Sequence, residues 1–427
     1  MPSPPPPPPA PTKSLSRERH IAELAVQRAA LLTKRVLLTL DLPPSSTIPS
    51  TPLTPTGSSQ SKIPWYLNPS TAQTANNGRR CSIAKQDASP VTIADFAAQA
   101  LLISAIHGAF PHDSFVGEED SHSLRADPDL TRQVWELVSS TKLEDPEAES
   151  LLAKPKSVEE MFQIIDLGGS GRGGRRGRFW ALDPIDGTSA FLKGQQYAIS
   201  LALIQDGKEV LGVLGCPNLP FSGINNYDSE GGPVQENKTD RCNPNGMGVM
   251  LSAVAGDGSA MVRCMTRGGL STSGPGPWMV SRNRALTGQS VPQLKDLHFV
   301  DSLVSPATSS DKVHELALKA GARYPGTEVY SSHMRYAAMV LGGREYVQAR
   351  VPYYKGAAWC LWDHAGSQLI YRESGAGKVT DLYGQEIDFG TGRKLTGNWG
   401  LITADETVHS KVQALVTEML AADDAAK

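Results

Sequence analysis

Residues 180–188 read Trp-Ala-Leu-Asp-Pro-Ile-Asp-Gly-Thr, an apolar strand that ends in two carboxylates three positions apart around a proline. Ionised carboxylates crowded at a strand end repel one another unless a cation compensates, and hard divalent ions such as Mg²⁺ prefer such oxygen donors. Proline fixes the turn, so Asp183, the Ile185 carbonyl and Asp186 can point into one site. Gly187 and Thr188 then offer backbone N–H groups to an anion and a hydroxyl to a reacting water. As a bare pattern the same run also fits an acidic turn or a calcium loop.

Other acids sit at element ends. Glu118 and Glu119 follow the short strand 114–116, Asp95 follows Thr92 by three positions, and Asp363 follows Trp362. Taken singly, Asp95 and Asp363 read as helix caps. Taken together, the acids describe a site of carboxylate oxygen, with no clustered His or Cys such as zinc would want. Two or three Mg²⁺ ions, about 3.5–4 Å apart in typical two-metal sites, would polarise a phosphate and activate a water. The chemistry implied is phosphate ester hydrolysis.

These residues need elements to hold them. Ile21, Leu24, Ala25, Leu31 and Leu32 predict an amphipathic helix over about 16–40, packed on the body. Thr92 with Asp95 predicts a capping box and a helix whose apolar face is Ile93, Phe96, Ala100 and Ile103. Alternation over 197–204, then Asp206-Gly207 and an apolar run to Cys216, predicts a hairpin; 253–262 repeats the device around Asp257-Gly258. Helices are predicted over 331–341 and 363–373, the second opening at Asp363 and closing at Gly375. Hairpins early and alternating elements later argue for α+β followed by α/β.

The chain has 427 residues, 41 basic and 44 acidic side chains and a net charge of -3, so no global positive field exists for a nucleic acid or an anionic membrane. No run approaches a membrane span, and no apolar segment follows the first methionine. Five scattered cysteines fit a reducing, cytoplasmic setting. Of 31 prolines, 14 fall in two short segments, the first 11 residues and 43–64. Residues 1–15 read as a disordered tail, and loose insertions are expected at about 42–84, 139–160, 168–177 and 225–245. The run 168–178 (GGSGRGGRRGR) contains a literal G-x-G-x-x-G, but it leads into a strand instead of following one, so it reads as a flexible surface loop. No aromatic rings interleave its arginines for base stacking, against an RNA-binding role.

Gly117-Glu118-Glu119, the 183–188 hexapeptide and Trp362-Asp363-His364-Ala365 resemble the signatures of the lithium-sensitive, Mg²⁺-dependent phosphatase superfamily that includes inositol monophosphatase and fructose-1,6-bisphosphatase. Ser89-Pro-Val-Thr with Asp95 to Gln99, Gly177-Arg-Phe-Trp, Leu201-Ala-Leu-Ile, Gly215-Cys-Pro-Asn-Leu219, Ile387-Asp-Phe-Gly and Gly392-Arg393 narrow the resemblance to bisphosphate nucleotidases of the fungal type, over about 22–401. The resemblance implies a layered αβαβα sandwich, an α+β lobe over 16–277 and an α/β lobe over 278–427 that carries Asp363 and the nucleotide pocket. It implies that Glu118, Asp183 and the Ile185 carbonyl hold one metal, that Asp183, Asp186 and Asp363 hold a second, and that Asp95 with Thr188 orients the attacking water. The ester phosphate would lie against Gly187, Thr188 and the helix opening at Asp363.

The family's Ser-x-x-Lys-Tyr nucleotide segment appears as Ser332-His-Met-Arg335-Tyr336, and its Arg-x-Pro as Arg350 before Pro352, so Ser332, Arg335 and Arg350 are the implied nucleotide contacts. Arg for Lys keeps the charge but replaces a point charge by a flat fork. Thr308 stands near where relatives carry a histidine, and Gly366-Ser367 replace the usual Ala-Gly. The implied partner is a small nucleotide, met by a monomer without nucleic acid or membrane.

Overall fold

The computed structural model describes residues 15–40, 74–75, 79–80, 82–84, 90–220, 246–268, 278–281, 291–303, 308–354 and 356–425. The proline-rich tail at 1–14, the insertion at 225–245 and most of the 42–84 stretch lie outside the described residues.

Helix α1 (Ser16–Thr39) is followed by two small antiparallel ladders, β1 (Thr74–Ala75) with β2 (Arg79–Arg80) and β3 (Ser82–Ala84) with β4 (Pro90–Thr92). Strand β4 runs straight into α2 (Ile93–Ala109), and the Thr92–Asp95 capping box forms as the sequence predicts. Next come β5 (Ser114–Gly117), α3 (His122–Ala126), α4 (Pro128–Ser140), α5 (Pro146–Ser150), α6 (Val158–Gly169), β6 (Arg178–Asp186) and α7 (Thr188–Leu192). Four antiparallel strands complete the first sheet after β7 (Ala198–Gln205): β8 (Lys208–Cys216), β9 (Val249–Val254), β10 (Ser259–Cys264) and β11 (Trp278–Ser281), in the order β11-β10-β9-β8-β7-β6-β5. The β7–β8 hairpin turns on Asp206 and Gly207, both at positive φ (51° and 77°), the left-handed pair that a two-residue hairpin loop of right-twisted strands requires.

The second sheet alternates strands and helices: β12 (His298–Asp301), α8 (Ser310–Ala320), β13 (Thr327–Glu328), α9 (Ser332–Leu341), β14 (Tyr346–Arg350), α10 (Ser367–Glu373), β15 (Lys378–Thr380), β16 (Leu401–Ala404) and α11 (Glu406–Ala425). Its order is β13-β12-β14-β16-β15, with β12 parallel to both neighbours and β15 and β16 antiparallel.

Five layers result. Helices α1 and α2 pack together on one face of the first sheet, α9 and α10 fill the space between the sheets, and α8 with α11 covers the outer face of the second. Strand β6 is apolar on both sides because both are covered: Trp180 and Leu182 face α1 and α2, while Phe179 and Ala181 pack on Leu361 and Trp362. Trp180 is fully buried, and truncation of such a ring typically costs about 3–5 kcal/mol.

The structure corrects several expectations. Helix α1 is buried nearly all round rather than amphipathic; its Arg28 is fully buried and donates to the carbonyls of Leu101, Leu152 and Ala153. The 139–160 stretch is ordered, because Asp145 caps α5 and Glu149 ties Arg28 to the Leu143 N–H. The glycine-rich run is packed at its start, where Gly168 and Gly169 end α6 and the Gly168 and Gly171 carbonyls accept from Arg393, while Arg172, Gly173 and residues 175–177 are exposed as a surface loop. Strand β11 pairs with β10, so a lobe boundary at 277/278 falls one strand early.

Candidate functional site

Between Asp183 and Asp186 the pairing of β6 with β7 shifts register. Strict alternation would place Ile185 on the side of Asp183, yet Ile185 packs with the α1–α2 core, so the bulge turns Asp186 back to the side of Asp183. Gly187 follows at φ 87°, and a Cβ there would stand 2.9 Å from the Ser331 Cβ. The chain thus passes close under the start of α9.

That approach holds Asp186. Its Oδ2 accepts from the Ser331 hydroxyl at 2.5 Å and from the His333 backbone N–H at 2.6 Å, so a carboxylate of the first sheet caps a helix of the second. Asp183 Oδ1 accepts from the Ile185 N–H at 3.1 Å. Asp363 closes a 3-10 turn (Leu361–Asp363), and α10 starts four residues later at Ser367. The expectation that Asp363 opens a helix is therefore corrected: Gly366, at φ 83°, interrupts the right-handed path, and its N–H donates to the buried Glu209 of β8 at 2.6 Å.

Carboxylate oxygens of Asp183, Asp186 and Asp363 lie within 4.8 Å of one another. Burial, then the charges of Asp186 and Glu118, pushes the Asp363 carboxyl up to about 7, with Arg350 and Lys394 opposing. Three acids so placed, with no histidine or cysteine in the cluster among the described residues, fit a hard cation. Glu118 stands outside this triad, at the end of β5, but close enough for its charge to act on Asp363. Its neighbours are fixed on both sides. The Gly117 carbonyl accepts from Arg393 at 2.8 Å, and Gln99 grips Glu119 twice, donating to its carbonyl and accepting from its N–H.

Asp95 serves two ends at once. Its Oδ2 accepts from the Thr92 N–H and hydroxyl, while Oδ1 faces the Thr188 hydroxyl at 3.2 Å. Thr188 Oγ1 also reaches the Ile185 carbonyl at 3.1 Å.

Arg335 of α9 and Arg350 at the end of β14 converge on the Ser332 hydroxyl at 3.0 and 3.3 Å. Arg335 is spent largely on structure, donating to the Val329 and Tyr330 carbonyls, and burial and the neighbouring Arg350 bring its guanidinium down to about 10. Arg350 stacks on Trp359, its carbon centre 4.5 Å from the ring, and also meets Thr308 and His364. Burial and the two guanidinia hold His364 well below the usual imidazole range, hence neutral. The sequence reading did not single out Ser331, His333, His364, Glu209 or Arg393 as site residues, although His333, His364 and Arg393 stood inside runs that carried a resemblance.

An acidic cluster at a strand end, beside buried guanidinia in a layered αβαβα sandwich, is a class of site that can take a cation and an anion side by side. The family model described as the inositol monophosphatase family matches residues 66–418. The chain belongs to that family. The 3'(2'),5'-bisphosphate nucleotidase of Emericella nidulans is 36% identical over 408 residues, covering 95% of this chain and 99% of that protein. The enzyme of the same name from Schizosaccharomyces pombe is 38% identical over 331 residues, covering 78% and 84%. Among solved structures, Mycobacterium tuberculosis SuhB is similar at 15% identity and a TM-score of 0.47, covering 95% of this chain and 98% of that one.

Proposed function

We propose that the protein removes the 3'-phosphate of adenosine 3',5'-bisphosphate, releasing AMP and phosphate, and acts likewise on 3'-phosphoadenylyl sulfate. The reading places it in the cytoplasm, clearing a by-product of sulfate assimilation, with lithium as an inhibitor. The observation that carries it is the pair of guanidinia, Arg335 and Arg350, gathered on Ser332 beside the acidic triad. One phosphate needs the acids and a cation; a second phosphate needs fixed positive charge, which a monophosphate would leave unused. Relatives that carry the bisphosphate nucleotidase name over nearly the whole chain support the same reading.

Asp183, Asp186, Asp363 and Glu118, with the Ile185 carbonyl, would hold two or three Mg²⁺ ions. Bound Mg²⁺ supplies Lewis acidity at the phosphate and lowers the pKa of water. The Thr188 hydroxyl has one proton and two acceptors, Asp95 and the Ile185 carbonyl. With that proton committed, its oxygen offers only lone pairs, so a neighbouring water donates to Thr188 and keeps its own lone pair toward phosphorus. Gly187 and Thr188 present backbone N–H groups to the ester phosphate. Arg350, stacked and charged, orients the remaining phosphate.

A substrate panel scored for released phosphate tests this. Purified protein with Mg²⁺ is expected to cleave adenosine 3',5'-bisphosphate in preference to inositol 1-phosphate. Ready cleavage of inositol 1-phosphate with no release from the nucleotide would overturn it. Arg350→Ala is expected to raise KM for the nucleotide about 10- to 100-fold, the worth of a charged hydrogen bond, with a smaller change in kcat.

A further inference from the structure

Resting on the reading that the three aspartates hold a cation, we propose that His333 is a positioning residue that sets the separation of Asp186 from Asp363. His333 is fully buried near the start of α9. Its backbone N–H donates to Asp186 Oδ2 at 2.6 Å. Its ring spans to the other ligand-bearing segment: Nε2 lies 2.7 Å from the carbonyl of Trp362, the residue before Asp363, and Nδ1 lies 2.7 Å from the Ser367 hydroxyl.

A carbonyl oxygen only accepts, so Nε2 carries the proton. The neutral ring then presents Nδ1 as an acceptor to the Ser367 hydroxyl. The backbone N–H and both ring nitrogens are therefore committed, one to each of three points on the two segments that bring Asp186 and Asp363 together. A core histidine packed only for its bulk would not need to meet both. Ser367 is itself fully buried, and its hydroxyl is the one His333 uses. Groups that orient ligand carboxylates typically change metal affinity about 10- to 100-fold when removed.

Calorimetric titration of the full chain with Mg²⁺ tests the assignment, with Asp186→Asn as the control for the cation site. His333→Ala is expected to weaken Mg²⁺ binding about tenfold or more. His333→Gln, which can still donate to the Trp362 carbonyl, is expected to recover part of that loss. Ser367→Ala should shift affinity the same way by less, and Ser367→Thr should restore it. In turnover, these variants should need more Mg²⁺ for half-maximal rate yet keep the wild-type KM for nucleotide once Mg²⁺ saturates. A residue acting only on stability would lower the melting temperature without that split.

If Asp186→Asn binds Mg²⁺ like the wild type, the cation reading itself fails. If Asp186→Asn loses Mg²⁺ while folded His333→Ala and Ser367→Ala bind it within about twofold of the wild type, only the positioning role fails. Should His333→Ala not fold, Ser367→Ala decides by the same criterion.

Discussion

Asp183 is the acid with the least freedom to be replaced, because it sits on the buried strand β6 and joins Asp186 and Asp363 in the triad. Asp183→Asn should lower phosphate release about a thousandfold, the several kcal/mol of Lewis-acid assistance at about 1.4 kcal/mol per decade, as measured by single-turnover phosphate assay. Asp363 predicts a pH dependence. Its folded carboxyl is raised to about 7, above the unfolded value, so the cation-free folded chain holds a proton there that the unfolded chain gives up. Ionising it costs stability progressively as pH rises from about 4 to 7, and a cation must displace that proton at the acid end. Mg²⁺ should bind more weakly at about pH 6 than at about pH 8.5. Titrations in buffers of different ionisation heat should show proton release at the lower pH and almost none at the higher.

At the scale of elements, local signals were legible where the governing contacts are local. The capping box at Thr92, the Asp-Gly hairpin after β7 and the helix at α9 follow from neighbours a few residues apart. The acids at element ends were legible as a group for the same reason. Expectations failed where a distant partner decides. Asp363 reads as the start of a helix, but Gly366 leaves the right-handed path and hands its N–H to Glu209, which stands across the interface on β8. The start of the glycine-arginine run reads as loose, but Arg393, more than 200 positions later, gathers the Gly168 and Gly171 carbonyls. His333 falls at an unspecified position of the 332–336 segment, and its contacts lie in two segments that approach only on folding. Gly212 marks the same interface, since any Cβ on it would press on the Gly366 backbone. Gly212→Ala should destabilise by about 1–3 kcal/mol, because backbone cannot yield as a flexible side chain does, and should lower the urea midpoint without changing the m-value.

For the whole molecule, the acids of the site come from two layers: Asp183 and Asp186 from the first sheet, and Asp363 from the turn before a helix wedged between the sheets. A bound cation would tie the layers together and stabilise only the folded chain. Mg²⁺ at about 100 times its dissociation constant should add about 2.7 kcal/mol, seen as a concentration-dependent rise in melting temperature that chelator reverses. No helix among the described residues is long and apolar enough to cross a membrane.

The separate origins of acids and guanidinia have an evolutionary meaning. The strand that supplies Asp183 and Asp186 is locked by packing on both faces, so its alteration would disturb two cores together. Arg335 resides on helix α9 and Arg350 at the end of β14, so the guanidinia come from elements other than that strand and meet it through the Ser331 and His333 contacts to Asp186. Descendants of such a scaffold can therefore exchange one leaving molecule for another by drift on a single side, while the hydrolytic apparatus is inherited intact.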